Sequence, residues 1–233
     1  MDTAKKPKIL FIAHDIEKSG APRVTTRLAI ALQQRGWNVE ACYPMKGGCE
    51  QEAHDAGLKT HIVDNPPVSL AGAGGILWRF RLLESRFRAL REYGHLVRTL
   101  KPDIIWIGSS VAVLAGIGAS RKNAKIVYHV HEDLTLSVGN LFRVWAVKAT
   151  ADAVVFVAPK CRYAFEPISH KKVERVIPNA IDPEPFLRAK RDKRIRNDHG
   201  VRGNVVVFLT AAFLSPRKGI DILLRAFQNV AES

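Results

Sequence analysis

Short apolar runs recur along this chain, each bounded by polar or glycine-bearing turns. Lys8–Ala13, Asp103–Gly108, Lys125–Val130 and Asp152–Val157 read as strands, and the first of them suits burial on both faces. Trp37, Val39, Ala41 and Tyr43 alternate as a further strand, and Lys59–Asp64 and Lys172–Ile177 add two more. Helical periods lie between them. Val24, Leu28 and Leu32 mark one face of a helix that opens around Pro22 and ends at Gly36. Cys49–Ala56 is a short helix ended by Gly57. Ile76 to about Leu100 is a long one, with Ile76, Phe80, Leu83, Phe87, Leu90 and Val97 on its apolar face and Pro102 closing it. Val111–Ser120 and Asn140–Thr150 follow as helices. This alternation predicts an α/β fold, a Rossmann-like parallel sheet with helices on both faces.

The C-terminal end breaks the pattern. Arg188–Gly203 is basic, poor in aromatics and linker-like; Asn204–Thr210 reads as a strand and Gly219–Ala231 as an apolar-faced helix. One strand and one helix cannot enclose a core. The expected division is therefore a first domain over 1–186, a basic linker over 187–203, and the first β-α unit of an incomplete second domain over 204–233. Pro66, Pro67, Gly72, Gly74 and Gly75 predict a loop before the long helix.

The 233 residues carry 36 Lys and Arg against 22 Asp and Glu, a net charge of +14. That excess favours anionic partners such as nucleotide phosphates, nucleic acid or an acidic membrane face. Nucleic acid is not expected, because the basic runs lack interleaved stacking aromatics. The arginine row of the long helix, beside Trp78, fits peripheral contact with an anionic membrane; the plainer reading is a solvated face. Cys42, Cys49 and Cys161 are odd in number and show no C-x-x-C spacing, which argues for a reducing compartment and against a structural zinc site. No signal peptide or transmembrane stretch is visible, so a cytoplasmic location is expected, with possible attachment at the inner face of the membrane.

In parallel α/β sheets, ligands sit beyond the carboxyl ends of the strands. Those positions hold His14, Asp15, Ser19 and Gly20 after the first strand, and Ser109 and Ser110 after Asp103–Gly108. His131 and Glu132 follow Lys125–Val130, with His129 two residues earlier, and Asn179 follows Lys172–Ile177. Singly each suits a cap or a turn; together they outline a polar cleft.

Five stretches, in order, resemble the glycosyltransferase family 4 enzymes of the GT-B fold. VIPNAIDPEPF resembles their "viPNGiD…F" segment, and Lys8–Gly36 their first strand, glycine loop and helix. KPDIIWIGSS and IVYHVHE resemble two further strands, the second ending in a histidine, and FLSPRKGIDILLRAF resembles the opening of their donor domain. The resemblance implies retaining sugar transfer from a nucleotide-sugar to an acceptor, lipid-linked or saccharide, with no metal and no cofactor beyond the donor. By position, His131 matches the cleft histidine beside the transferred sugar and is the catalytic candidate. Ser19, Gly20, Ser109 and Asn179 are substrate-binding candidates, and Arg217 and Lys218 lie where the family places cations on the diphosphate. Ala212 and Phe213 stand where the family often has Gly-Arg, and the loop Ser19–Gly20–Ala21–Pro22 has one glycine where two are usual. The family's paired glutamates would lie beyond Ser233, so the donor domain is expected to be truncated and the chain by itself inactive. Two alternatives stay open: a metal-dependent hydrolase using His129 and His131, which share one face of a strand, and a non-catalytic fragment that binds acceptor or membrane.

Overall fold

The computed structural model describes residues 6–18, 20–65, 76–120, 123–134, 137–166, 173–188, 194–201, 205–212, 214 and 216–231, with the backbone alone at 76–82, 195, 217 and 231. The chain divides into two units, Met1–Ala180 and Ile181–Ser233.

Unit 1 is built on seven strands: β1 (Lys8–Ile12), β2 (Asn38–Tyr43), β3 (Lys59–Ile62), β4 (Ile104–Ile107), β5 (Lys125–Val130), β6 (Ala153–Phe156) and β7 (Val173–Val176). All pair in parallel in the order β3-β2-β1-β4-β5-β6-β7. The order reverses between β1 and β4, the switch point at which such sheets open a crevice. Helices α1 (Gly20–Gln34) and α2 (Gly48–Asp55) cover one face. There Ile9, Phe11, Val39, Ala41 and Tyr43 form a core with Ala29, Cys49 and Ala53. The other face carries α3 (Ile76–Leu100), a 3-10 turn (Ser110–Ala112) running into α4 (Val113–Ala119), and α5 (Val138–Thr150). Its core gathers Leu10, Ile12, Ile105, Ile107, Tyr128 and Phe156 with Tyr93, Val97, Ala115, Val144 and Val147. Helices on both faces are what the alternating pattern predicts.

Two helices bury a different stripe from the one their large residues suggest. In α1 the buried positions are Pro22, Thr25, Thr26 and Ala29, while Val24, Leu28 and Leu32 sit half-buried at the sides. The cause is close approach: a Cβ at Gly108 would lie 2.0 Å from Thr25 Oγ1, so helix and strand end touch through small groups. Thr26 Oγ1 is satisfied by Tyr43 Oη at 2.9 Å. In α3 Val97 is buried and Leu90 half-buried as expected, but Ala89 and Tyr93 complete the buried stripe, and Leu83 and Phe87, also expected on the apolar face, are exposed. Here α3 crosses α4 through glycines: a Cβ at Gly118 would meet Leu90 O at 2.7 Å, and one at Gly94 would meet Gly118 O at 3.2 Å. Side chains larger than hydrogen at that crossing would push the helices apart.

A further short helix, α6 (Pro159–Tyr163), follows β6. Unit 2 contains α7 (Glu184–Leu187), α8 (Arg194–Asp198), a 3-10 turn (Pro216–Lys218) and α9 (Ile220–Ala231). Residues 205–210 have no regular secondary structure, which corrects the strand expected over Asn204–Thr210. A strand exists only when a neighbour accepts its backbone hydrogen bonds, and among the described residues of unit 2 no segment forms a ladder with this one. Phe208 does meet Phe227 of α9, edge to face, with ring centres 5.6 Å apart.

Candidate active site

Each polar position expected on the rim comes from the end of a strand. His14 and Asp15 follow β1, Ser109 follows β4, His131 and Glu132 follow β5, and Asn179 lies three residues past β7. The ends of β1 and β4 flank the switch point, so the cluster stands where the crevice opens.

Glu132 is the anchor of this group. Its carboxylate accepts from Ser109 Oγ through Oε1, and from Ser110 N at 3.1 Å and Ser110 Oγ at 2.8 Å through Oε2. Ser109 Oγ also accepts from Val111 N at 2.9 Å, capping the 3-10 turn that leads into α4. A carboxylate is favoured at such a turn by the free N–H groups and their dipoles. Ser109, one of the expected substrate-binding residues, is fully buried and committed to this internal network.

The histidines form a chain behind Glu132. His131 Nε2 lies 3.2 Å from His129 Nδ1, and Asn179 Nδ2 lies 3.4 Å from His131 Nδ1. An amide nitrogen can only donate, so His131 Nδ1 accepts, its proton sits on Nε2 and is donated to His129. This assigns the tautomer of both rings with each neutral. The electrostatics agree. Burial pushes His129 down to about 4, with His131 adding to the depression and Glu132 opposing it. Burial likewise holds His131 below its ordinary value, against the pull of Glu132. Trp106 packs its ring edge-on to His129 at 5.4 Å.

His14 is lowered too, first by burial and then by Arg143, with Glu132 and Asp15 pulling it upward. Its Nδ1 is buried without a hydrogen-bond partner among the described residues. Such an atom is costly unless something pairs with it, so His14 marks a place for a ligand group. Gly20 opens α1 at φ +53°, and nothing lies within 4 Å of where its Cβ would be. The backbone there is open to a ligand at a helix N-terminus.

The structure thus brings together His131, Asn179 and, through Glu132, Ser109. Ser19 lies outside the described residues, as does the side chain of Arg217. Lys218 is exposed in the turn before α9 of unit 2. Two members of the cluster were weaker in the sequence. Glu132 adjoins His131, but its anchorage depends on a loop at the end of another strand. Arg143 carried no signal, because its field at His14 comes from the packing of α5. Among the described residues no group of three or more His, Cys, Asp or Glu is arranged to hold a metal.

The fold has known counterparts. HepE of Anabaena, in complex with UDP and glucose, superposes with a TM-score of 0.69 at 22% identity, over 95% of this chain and 57% of that one. A glycosyltransferase from Rickettsia africae gives 0.70 at 15% identity, over 97% and 58%. Sucrose-phosphate synthase from Thermosynechococcus elongatus gives 0.66 at 17%, over 97% and 60%. The chain therefore spans somewhat more than half the length of these proteins. No curated protein matches its sequence. The fold is the Rossmann-like α/β sheet of the GT-B enzymes. A family model, Glycosyltransferase Family 4, matches residues 18–185, most of unit 1, and the chain belongs to that family.

Proposed function

We propose that this chain carries the acceptor-side half of a retaining glycosyltransferase that uses a nucleotide-sugar. The carrying observation is the rim at the switch point, where His131, held between His129 and Asn179, stands in the same cluster as Glu132 and as His14, whose buried Nδ1 has no partner among the described residues. The UDP and glucose bound to HepE support a nucleotide-sugar as donor. In the reaction the bond between the anomeric carbon and the phosphate oxygen breaks, and the acceptor oxygen bonds the same face of that carbon. The acceptor proton leaves with the departing diphosphate. A neutral His131, its N–H given to His129, accepts a hydrogen bond from a sugar hydroxyl at Nδ1 rather than carrying charge of its own. Its 3.4 Å contact to Asn179 is long and can be exchanged for one to substrate. Charge grows on the leaving diphosphate, and Arg217 and Lys218 are the cations proposed to meet it. No metal or cofactor is proposed.

In this reading unit 2 opens the donor-binding half. The acceptor is a saccharide or a lipid-linked sugar, and the protein works in the cytoplasm with the basic face of α3 against an anionic membrane. No helix among the described residues is long and apolar enough to cross one.

The test is turnover of nucleotide-sugars. The 233-residue chain is expected to transfer sugar at a negligible rate, because most donor contacts belong to the second half. In a form with a complete donor half, Lys218→Ala should lower the rate on the order of 10²-fold, and Lys6→Ala should leave it unchanged. Ordinary enzyme rates from residues 1–233 alone, or equal small effects of the two lysine changes, would overturn the reading.

A further inference from the structure

A second polar site lies away from the switch-point rim. The edge strand β3 and the C-terminal half of α3 line an open cleft of about 620 Å³. Because α3 leads directly into β4, its C-terminus lies at the opposite end of the sheet from His131. Arg91, His95 and Arg98 recur at helical spacing on one stripe of α3 and line this cleft, and Lys59 and His61 line it from β3.

The charges here do not balance. Glu40, only 7% exposed on β2, takes Lys8 at 2.7 Å, His61 at 2.5 Å and Lys59 at 3.6 Å. Its negative charge is therefore already used. Arg91 and Arg98 have no acidic or hydrogen-bonding partner among the described residues, whereas Arg88, one turn earlier, is paired with Glu84 at 3.9 Å. The acid lining the cleft is Glu92. Three cations, Lys59, Arg91 and Arg98, line the cleft against one carboxylate, Glu92, and Glu40 beside it is balanced by Lys8, which leaves an excess of two positive charges.

We propose that this cleft binds a phosphate-bearing anion. A phosphate monoester carries about −1.5 to −2 charges at neutral pH and presents three strong acceptor oxygens, which matches both the excess charge and the donors. Two guanidinium groups two turns apart on one stripe of a helix, with His95 between them, can converge on such a group from one side, each offering a fork of N–H donors on a long side chain. Lys59 meets it from the strand side. The phosphate is either free in solution or the headgroup of a lipid. Exposed Phe87, one turn before Arg91 on the same stripe, would lie beside the acyl region in the second case.

The experiment uses the full 233-residue chain, the double variant Arg91→Gln/Arg98→Gln, and Arg175→Gln as a control on β7. The first arm is a calorimetric titration with inorganic phosphate. The second is co-sedimentation with vesicles of phosphatidic acid, whose headgroup is a phosphate monoester, in phosphatidylcholine, and of phosphatidylcholine alone. Thermal melts confirm that the variants are folded, which is expected because both arginines are exposed. Saturable phosphate binding, weakened at least tenfold in the double variant and unchanged in the control, establishes the site for a soluble anion. Sedimentation that needs phosphatidic acid and is lost in the double variant, without phosphate binding, establishes it for a headgroup. Absence of both, or equal binding by the double variant and the control, overturns the proposal. Because no nucleotide-sugar is used, the result is independent of whether the rim around His131 transfers sugar.

Discussion

KILFIA at 8–13 and VVVFLT at 205–210 are nearly interchangeable as strings of side chains, and their fates are opposite. The first contains β1, bonded to β2 on one side and β4 on the other, with Leu10 and Ile12 wholly buried. The second has no regular secondary structure, and Val205, Val206, Val207, Phe208 and Leu209 are all exposed. Helices repeat the contrast. In α5, Val144 and Val147 are buried under the sheet, whereas Ile222, Leu223, Leu224 and Phe227 of α9 are exposed. Apolar periodicity is therefore an offer of a face. The free energy of burial, about 1.5–3 kcal/mol for each large side chain, is collected only where other elements arrive to cover it.

The contrast can be broken or sharpened by substitution. Leu10→Ala or Phe156→Ala should cost roughly 3–5 kcal/mol, the range for emptying a packed core position. Leu209→Ala, exposed in unit 2, should stay within about 0.5 kcal/mol. Urea unfolding followed by circular dichroism measures both, and a large loss from Leu209→Ala would mean that its segment is covered in solution.

Backbone conformation offers a second pair. Gly48 and Gly219 both have positive φ, +48° and +63°. A Cβ at Gly48 would fall 1.8 Å from Ile16 O, while the nearest atom to one at Gly219 is the tip of Ile222 at 3.8 Å. Gly219→Ala should therefore cost only the left-handed strain of about 1–2 kcal/mol. Gly48→Ala should cost clearly more, because a backbone carbonyl has to move. Equal costs in the same unfolding assay would show that the loop around Ile16 yields freely.

Packing in unit 1 also has an acid-sensitive element. His129 is held near 4 against an ordinary value near 6.5, mainly by burial. Between those values the unfolded chain binds a proton that the folded chain refuses, so stability rises with pH across this window and is lost as pH falls from 6.5 toward 4. His129→Gln should flatten that part of the stability profile. An unchanged slope would assign it to other groups.

The smallest expected effect is that of removing unit 2. Residues 1–180 should keep a cooperative melt within about 2–4 °C of that of 1–233, the shift produced by roughly 1 kcal/mol in a domain of this size. If 1–180 is unfolded while 1–233 is a stable monomer, the two regions share a core and the contrast drawn here fails.

The amino-acid order by itself determined the sequence of strands and helices in unit 1, the parallel class of the sheet, and the rim on which polar residues would collect. These follow from local periodicity and from the handed, crossover connection that parallel strands require. His131 and Asn179 could be named because both lie just beyond strand ends. Tertiary structure alone decided which helical stripe is buried, since α1 and α3 seat themselves by close approaches at Gly108 and at the Gly94–Gly118 crossing rather than by their largest side chains. It alone joined Glu132 to Ser109 and Ser110, brought Arg143 within electrostatic reach of His14, and left residues 205–210 without a ladder. Each of these depends on which distant segment comes within a few ångströms, and periodicity along one segment carries no record of what will stand opposite it.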